Sequence, residues 1–353
     1  MVSSRAKKSF DAARHLRRGQ VIPALPLALT AARRWDERSQ RALVRYYLDA
    51  GVGGLAVGVH STEFAIRQPA VGLYRPILSL SAETAQAWRR TPAAPVILIA
   101  GLCGRTRQAT AEAGIARELG YHAGLLSLGA WAQAPEKDVL KHCRTVARSI
   151  PLIGFYLQPA VGGRILSYRF WRRFAEIPEV VAIKIAPFNR YQTLDVVRAV
   201  MEAGRDDIAL YTGNDDNIIG DLLTPFAFAG RTRFIDGGLL GQWGVWTERA
   251  VALFRDLRQA RTKPALAAAW LRRNAELTDA NSAVFDAANR FAGCIPGIHE
   301  VLRRQGLLPS TACLEPQERL SAGQAREITR VARAYPWMVD NEFVARRLAA
   351  WRA

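Results

Sequence analysis

The chain has 353 residues, half of them hydrophobic, and its 49 basic against 31 acidic residues leave a net charge of +18. This length suits one α/β barrel of about 250 residues with terminal additions, and the absence of any run of about 18 or more apolar residues argues against a transmembrane helix. The basic stretch Met1 to Gln20 lacks the apolar core of a secretory signal, so the expected location is cytoplasmic, with no membrane partner.

The positive charge is spread along the chain, and its densest run, Arg5 to Arg18, comes with no nucleic-acid motif. A solvated, arginine-rich surface accounts for it, and nucleic acid is not an expected partner. Cys103, Cys143, Cys294 and Cys313 form no CxxC pair, and the five histidines show no HxxxH or HExxH spacing. No metal site is expected, and the thiols read as reduced.

In chain order, eight short apolar runs read as strands: 21–30, 54–59, 95–102, 123–128, 152–157, 180–185, 208–213 and 233–238. Their continuous hydrophobicity suits strands buried on both faces. Helical patterning fills the gaps, over 36–50, 106–120, 136–149, 168–177 and 192–204. Alternating strands and helices imply a parallel sheet, and eight such units close into a (β/α)8 TIM barrel. Further helices are predicted at 247–261, 264–277, 281–290, 298–305 and 322–334. The organisation is therefore a basic N-terminal segment (1–17), a barrel (18–250) and a helical C-terminal region (251–353).

A barrel of this kind carries its chemistry at the C-terminal ends of its strands. Those ends offer His60, Ser61, Thr62 and Glu63; Gly101 to Gly104; Tyr156, Gln158 and Pro159; Lys184; Thr212 to Asp216; and Asp236 to Gly238. Lys184 is one of only six lysines in a chain that otherwise uses arginine for positive charge. Inside a barrel strand, desolvation favours the neutral amine, and a neutral amine is the nucleophile that attacks a ketone. The structural alternative is a buried ion pair with Asp215 or Asp236. Tyr156, 28 residues earlier at the end of the fifth strand, offers a phenol for proton transfer; its alternative is a packed core aromatic.

These residues resemble the dihydrodipicolinate synthase and N-acetylneuraminate lyase superfamily. The match rests on Tyr156-Leu-Gln-Pro159 followed by Val181-Ala-Ile-Lys184, on Gly162-Gly163, on Pro95-Val-Ile-Leu-Ile-Ala-Gly101 with Ala109-Thr-Ala-Glu-Ala113, and on Tyr211-Thr-Gly-Asn-Asp215. It covers roughly residues 18 to 330. The resemblance implies that Lys184 forms an imine with pyruvate or another 2-oxo acid and that Tyr156 moves the protons. It implies substrate binding by His60, Ser61, Thr62, Gly213, Asn214 and Ile235. No metal or organic cofactor is implied. The partners implied are an aldehyde or sugar-acid substrate and other copies of the chain, as a tetramer or dimer.

Three departures stand out. The family's Gly-Thr-Thr-Gly-Glu turn is replaced by Gly58-Val-His-Ser-Thr-Glu63. The arginine two residues after the Tyr-x-x-Pro proline is Val161, with Arg164 as a nearby substitute for its charge. The relay tyrosine after the fourth strand is missing from Leu128-Gly-Ala-Trp131. The sequence therefore points away from a true dihydrodipicolinate synthase and towards a lyase or aldolase with a more apolar wall. Two further readings are a non-catalytic barrel that binds a 2-oxo acid and a basic barrel that binds an acidic partner.

Overall fold

The structure is a computed structural model that describes residues 10–88 and 95–353. The first nine residues of the basic N-terminal segment lie outside the described residues.

Ten strands form among the described residues. They are β1 (Val21–Pro23), β2 (Gly54–Val57), β3 (Ile97–Leu102), β4 (Ala123–Leu126), β5 (Leu152–Leu157), β6 (Val180–Ala186), β7 (Ala209–Thr212), β8 (Phe226–Phe228), β9 (Arg231–Arg233) and β10 (Gly237–Leu240). Eight of them make one parallel sheet in the order β1-β10-β7-β6-β5-β4-β3-β2. A parallel bridge between Ala24 and Ala56 joins the two ends, with the Leu25 amide donating to the Ala56 carbonyl at 2.8 Å. The sheet therefore closes into the expected (β/α)8 barrel. Helices alternate with the strands because local signals start and stop them. Glu37–Ala50, for instance, is capped by the Asp36 carboxylate on the Ser39 amide and ends at Gly51, in the left-handed conformation that glycine adopts without penalty.

The last barrel strand differs from expectation. Residues 226–233 form an antiparallel hairpin, β8 with β9, and the strand that closes the barrel starts only at Gly237. Asp236 consequently stands at the N-terminal end of that strand, away from the mouth. There it pairs with Arg17 and Arg233 and accepts from the Leu210 amide.

Arg17 ends the short helix Ala12–Arg17, which plugs the bottom of the barrel. Leu16 is fully buried among the inward-facing side chains of the strands, and the Tyr211 hydroxyl donates to its carbonyl at 2.9 Å. With this end filled, the described residues leave the C-terminal mouth of the barrel open to a ligand.

The C-terminal region folds as Thr247–Ala260, Ala269–Val284, Cys294–Arg304, Gln324–Ala334 and Asn341–Arg352. The helix expected at 281–290 does not exist as such. Its first residues continue Ala269–Val284, and Asp286, Arg290 and Phe291 take left-handed backbone angles in a tight loop. The tail packs on the barrel's own helix 37–50. The fully buried Trp351 lies 5.4 Å from Tyr46 and donates through its indole to Asp49. Asp340 accepts from the Tyr46 hydroxyl, the Glu248 amide and Gln305. Removing a fully buried tryptophan costs about 3–5 kcal/mol, so Trp351→Ala is expected to lower the urea midpoint clearly; an unchanged midpoint would mean the tail adds nothing to the fold.

Candidate active site

Lys184 lies near the C-terminal end of β6, with Phe155 of β5 and Tyr211 of β7 as its Cα partners. Paired residues of parallel strands face the same side of the sheet, so all three point into the barrel. The lysine is 8% exposed, and its Nζ sits 4.5 Å from the centre of the Phe155 ring. Among the described residues no carboxylate lies within 4.0 Å of it, so neither alternative partner forms a contact ion pair. Burial pulls its pKa below that of a free lysine, and the more distant Asp215 opposes that shift only in part. Gly213 makes room for the lysine stem: a Cβ there would fall 2.6 Å from Lys184 Cε.

The amine opens into a pocket with about 650 Å³ of atom-free space, part of it open to solvent. His60 and Ser61 line one side, Gln158 and Val161 another, and Gly213 and Asp215 a third; Phe155, Phe188, Phe285, Phe291 and Ile298 supply apolar wall. His60 is pushed down to about 4, first by burial and then by the nearby Lys184 charge, so its ring is neutral at physiological pH. Burial pushes Asp215 upward, against the pull of the Gln242 amide and Lys184. An amine and a carboxyl are thus both moved towards neutrality in one enclosed space.

The structure brings together Lys184, His60, Ser61 and Gly213 of the expected set, and it corrects the others. Tyr156 faces outward. It packs 5.1 Å from Trp171, and its hydroxyl both donates to the Leu166 carbonyl and accepts from the Leu166 amide. Alternation along β5 turns Ile153 and Phe155 inward and Tyr156 towards the helices, so Phe155 stands where the phenol was expected.

Thr62 is buried, and its hydroxyl is used inside the turn, donating to Leu25 at 2.6 Å and accepting from Gly58. Asn214 is also buried and braces the loop after β7 by bonding to the Phe188 amide, Thr193 and Asp221. Ile235 precedes β10 and does not line the cavity, because the last strand starts later than its hydrophobic run suggested.

Arg164 donates to the carbonyls of Trp131 and Ala134 and does not line the cavity either. Trp131 packs against His142 with tilted rings 4.7 Å apart, under the Arg105 guanidinium. Arg164 accordingly supplies no substitute cation to the wall at Val161.

Sequence reasoning missed Phe285 and Phe291, which reach the mouth from the left-handed loop after 284. A helical pattern there hid the turn. It placed Asp215 at the β7 strand end and as a possible partner of Lys184, but gave it no role in the chemistry.

A closed eight-stranded barrel with a desolvated lysine in its C-terminal mouth defines a (β/α)8 protein equipped for amine chemistry. Residues 17–334 match the family model described as Dihydrodipicolinate synthetase family, and the chain belongs to that family. It is 27% identical over 191 residues to the 4-hydroxy-tetrahydrodipicolinate synthase of Thiobacillus denitrificans, a match covering 53% of this chain and 60% of the relative.

Among solved structures it is similar to a prophage protein of the dihydrodipicolinic acid synthase family from E. coli K12, crystallised in complex with pyruvate. The TM-score is 0.73 at 18% identity, over 90% of this chain and 98% of that one. It is also similar to the N-acetylneuraminate lyase of Fusobacterium nucleatum, with a TM-score of 0.70 at 16% identity, over 90% and 99% of the two chains. At these identities the structural likeness speaks for the fold.

The lowered pKa of Lys184 has a direct consequence. Because only the neutral amine reacts, labelling of Lys184 by acetic anhydride should rise with pH to a midpoint well below the value of about 10.4 for free lysine. Competitive labelling with the exposed Lys137 as internal reference measures this; a Lys184 midpoint at or above 10.4 would contradict the desolvated amine.

Proposed function

We propose that this protein is a Schiff-base-forming lyase or aldolase that acts on pyruvate or another 2-oxo acid. The observation that carries the reading is the Lys184 amine, desolvated at the mouth of a closed barrel and free of any carboxylate contact within 4.0 Å among the described residues. A neutral amine attacks the ketone carbon, and loss of water gives an imine. The protonated imine draws electrons from the neighbouring carbon, which permits carbon–carbon bond formation, the reverse cleavage, or dehydration of a sugar acid.

The substrate carboxylate fits against His60 and Ser61, the cavity-facing part of the turn after β2. That turn is held from behind: Arg67 donates to the Gly58 and Gly101 carbonyls and pairs with the buried Glu112. Thr62 acts here as a brace. Val161 and the phenylalanine wall favour a second substrate with an apolar body over an anionic one. With Arg164 turned away, this supports an activity other than that of a dihydrodipicolinate synthase.

Incubation with pyruvate, reduction with borohydride and peptide mass spectrometry test the reading. A pyruvate-derived adduct is expected on Lys184 and absent in Lys184→Ala. Tyr156→Phe should trap pyruvate as the unaltered protein does, because its phenol faces the helices; a severe loss of trapping in that variant with the fold intact would restore the tyrosine to the mechanism. No adduct from pyruvate or a panel of 2-oxo acids would remove the lyase reading and favour a barrel that binds without turnover.

A further inference from the structure

Imine chemistry moves protons several times, and among the described residues no tyrosine lines the cavity. The titratable side chains that do are His60, Lys184, Asp215 and Cys294. Lys184 is itself the nucleophile. The protonated form of His60 is scarce near neutral pH, because burial and the lysine push it down to about 4. Burial raises the Cys294 thiol far above its ordinary range, which leaves little thiolate to act as a base. Asp215 remains.

The geometry around Asp215 fits the task. Its Oδ1 accepts from the Gln242 amide at 3.0 Å, and the Asn281 side chain donates to its backbone carbonyl at 2.7 Å. The residue is therefore fixed at both ends. Its Oδ2 has no hydrogen-bond partner among the described residues, and the side chain borders the space into which Lys184 opens. More than 4.0 Å separates the carboxylate from the amine, since the two form no ion pair, and a substrate atom can lie between them. Phe188, Phe285 and Phe291 give Asp215 an apolar surround.

We propose that Asp215 is the proton-transfer residue of this site, serving through its free carboxyl oxygen in the place of a phenol. The proposal rests on the reading of Lys184 as the imine-forming residue. When the amine attacks the ketone carbon, the C–N bond forms, the carbonyl π pair moves to oxygen, and the Asp215 carboxyl protonates that oxygen. The carboxylate so formed takes a proton from the new ammonium. The acid then protonates the carbinolamine hydroxyl, which leaves as water while the nitrogen lone pair closes the C=N bond. The carboxylate next removes a proton from the carbon beside the imine to give the enamine. In the aldol direction the enamine carbon attacks an aldehyde, and Asp215 returns that proton to the new alkoxide. Water finally hydrolyses the protonated product imine; Lys184 leaves as the neutral amine, and the proton released passes to the Asp215 carboxylate, restoring the acid.

The test follows exchange of the pyruvate methyl protons in D2O by NMR, alongside borohydride trapping, for the unaltered protein and for Asp215→Asn. Asparagine keeps the shape and can still accept from the Gln242 amide. Losing a positioned acid–base group costs about 10²–10⁴-fold, so methyl exchange should fall by at least about 100-fold, with slower trapping that still marks Lys184. Asp215→Ala supplies a second reading that does not depend on the asparagine variant: formate, a small carboxylate, should restore part of its exchange, which it cannot do for a residue that only supports the fold. Exchange and trapping in Asp215→Asn within about threefold of the unaltered protein would overturn the role of Asp215 while leaving the imine in place. Failure of formate to restore exchange in a folded Asp215→Ala would count against it equally. If the unaltered protein itself gives no adduct, the imine reading fails first, and that result is separate from either variant.

Discussion

Burying an amine is expensive, and the fold around Lys184 is arranged so that the cost falls on its protonated form. A charged ammonium loses its hydration inside the barrel, and the carboxylate nearest in its field stands beyond contact range, so the balance moves towards the free base. The aromatic face of Phe155 offers weak compensation. An adjacent carboxylate in direct contact would have held the proton on nitrogen and made the residue structural. The distance to Asp215 is therefore as important as the burial itself: close enough to share an enclosed space, too far to neutralise the amine.

Several features of the molecule keep this arrangement fixed. The helix Ala12–Arg17 fills the bottom of the barrel, with Tyr211 and Asp236 committed to holding it. At the mouth, the loop carrying Phe285 and Phe291 folds over the strand ends, and its left-handed residues Asp286, Arg290 and Phe291 set the direction of the rings. The C-terminal helices behind that loop are tied to the barrel through Asp340 and Trp351.

The barrel was legible because strands buried on both faces read as continuous apolar runs; seven of the eight began within two residues of their observed starts, although the first, expected to run to residue 30, ends at Pro23. Lys184 was legible because a lysine in such a run is out of character for this chain. The facing of Tyr156 was not, since a count of residues to Lys184 carries no information about which side of β5 a side chain takes. Pairing decides that, and β5 pairs Phe155 with Lys184 after a register shift at Leu152 and Ile153. The misplaced last strand had a similar origin: the hairpin Phe226–Arg233 uses strand-forming residues outside the barrel, which drew Ile235 and Asp236 into the wrong end. Thr62 and Asn214 have the side chains of ligand-binding residues, but the hydrogen bonds that occupy them come from residues distant in sequence. Asp215 is placed by groups distant in sequence: Lys184 on β6 and the Gln242 amide in the turn after β10.

The most direct test is the crystal structure of the protein reduced with borohydride in the presence of pyruvate. Continuous density from Lys184 Nζ to the substrate's second carbon, with the carboxylate against His60 and Ser61 and with Phe155 beneath the nitrogen, is the result this account requires. Pyruvate bound without a covalent link, or an adduct on a lysine other than Lys184, would contradict it.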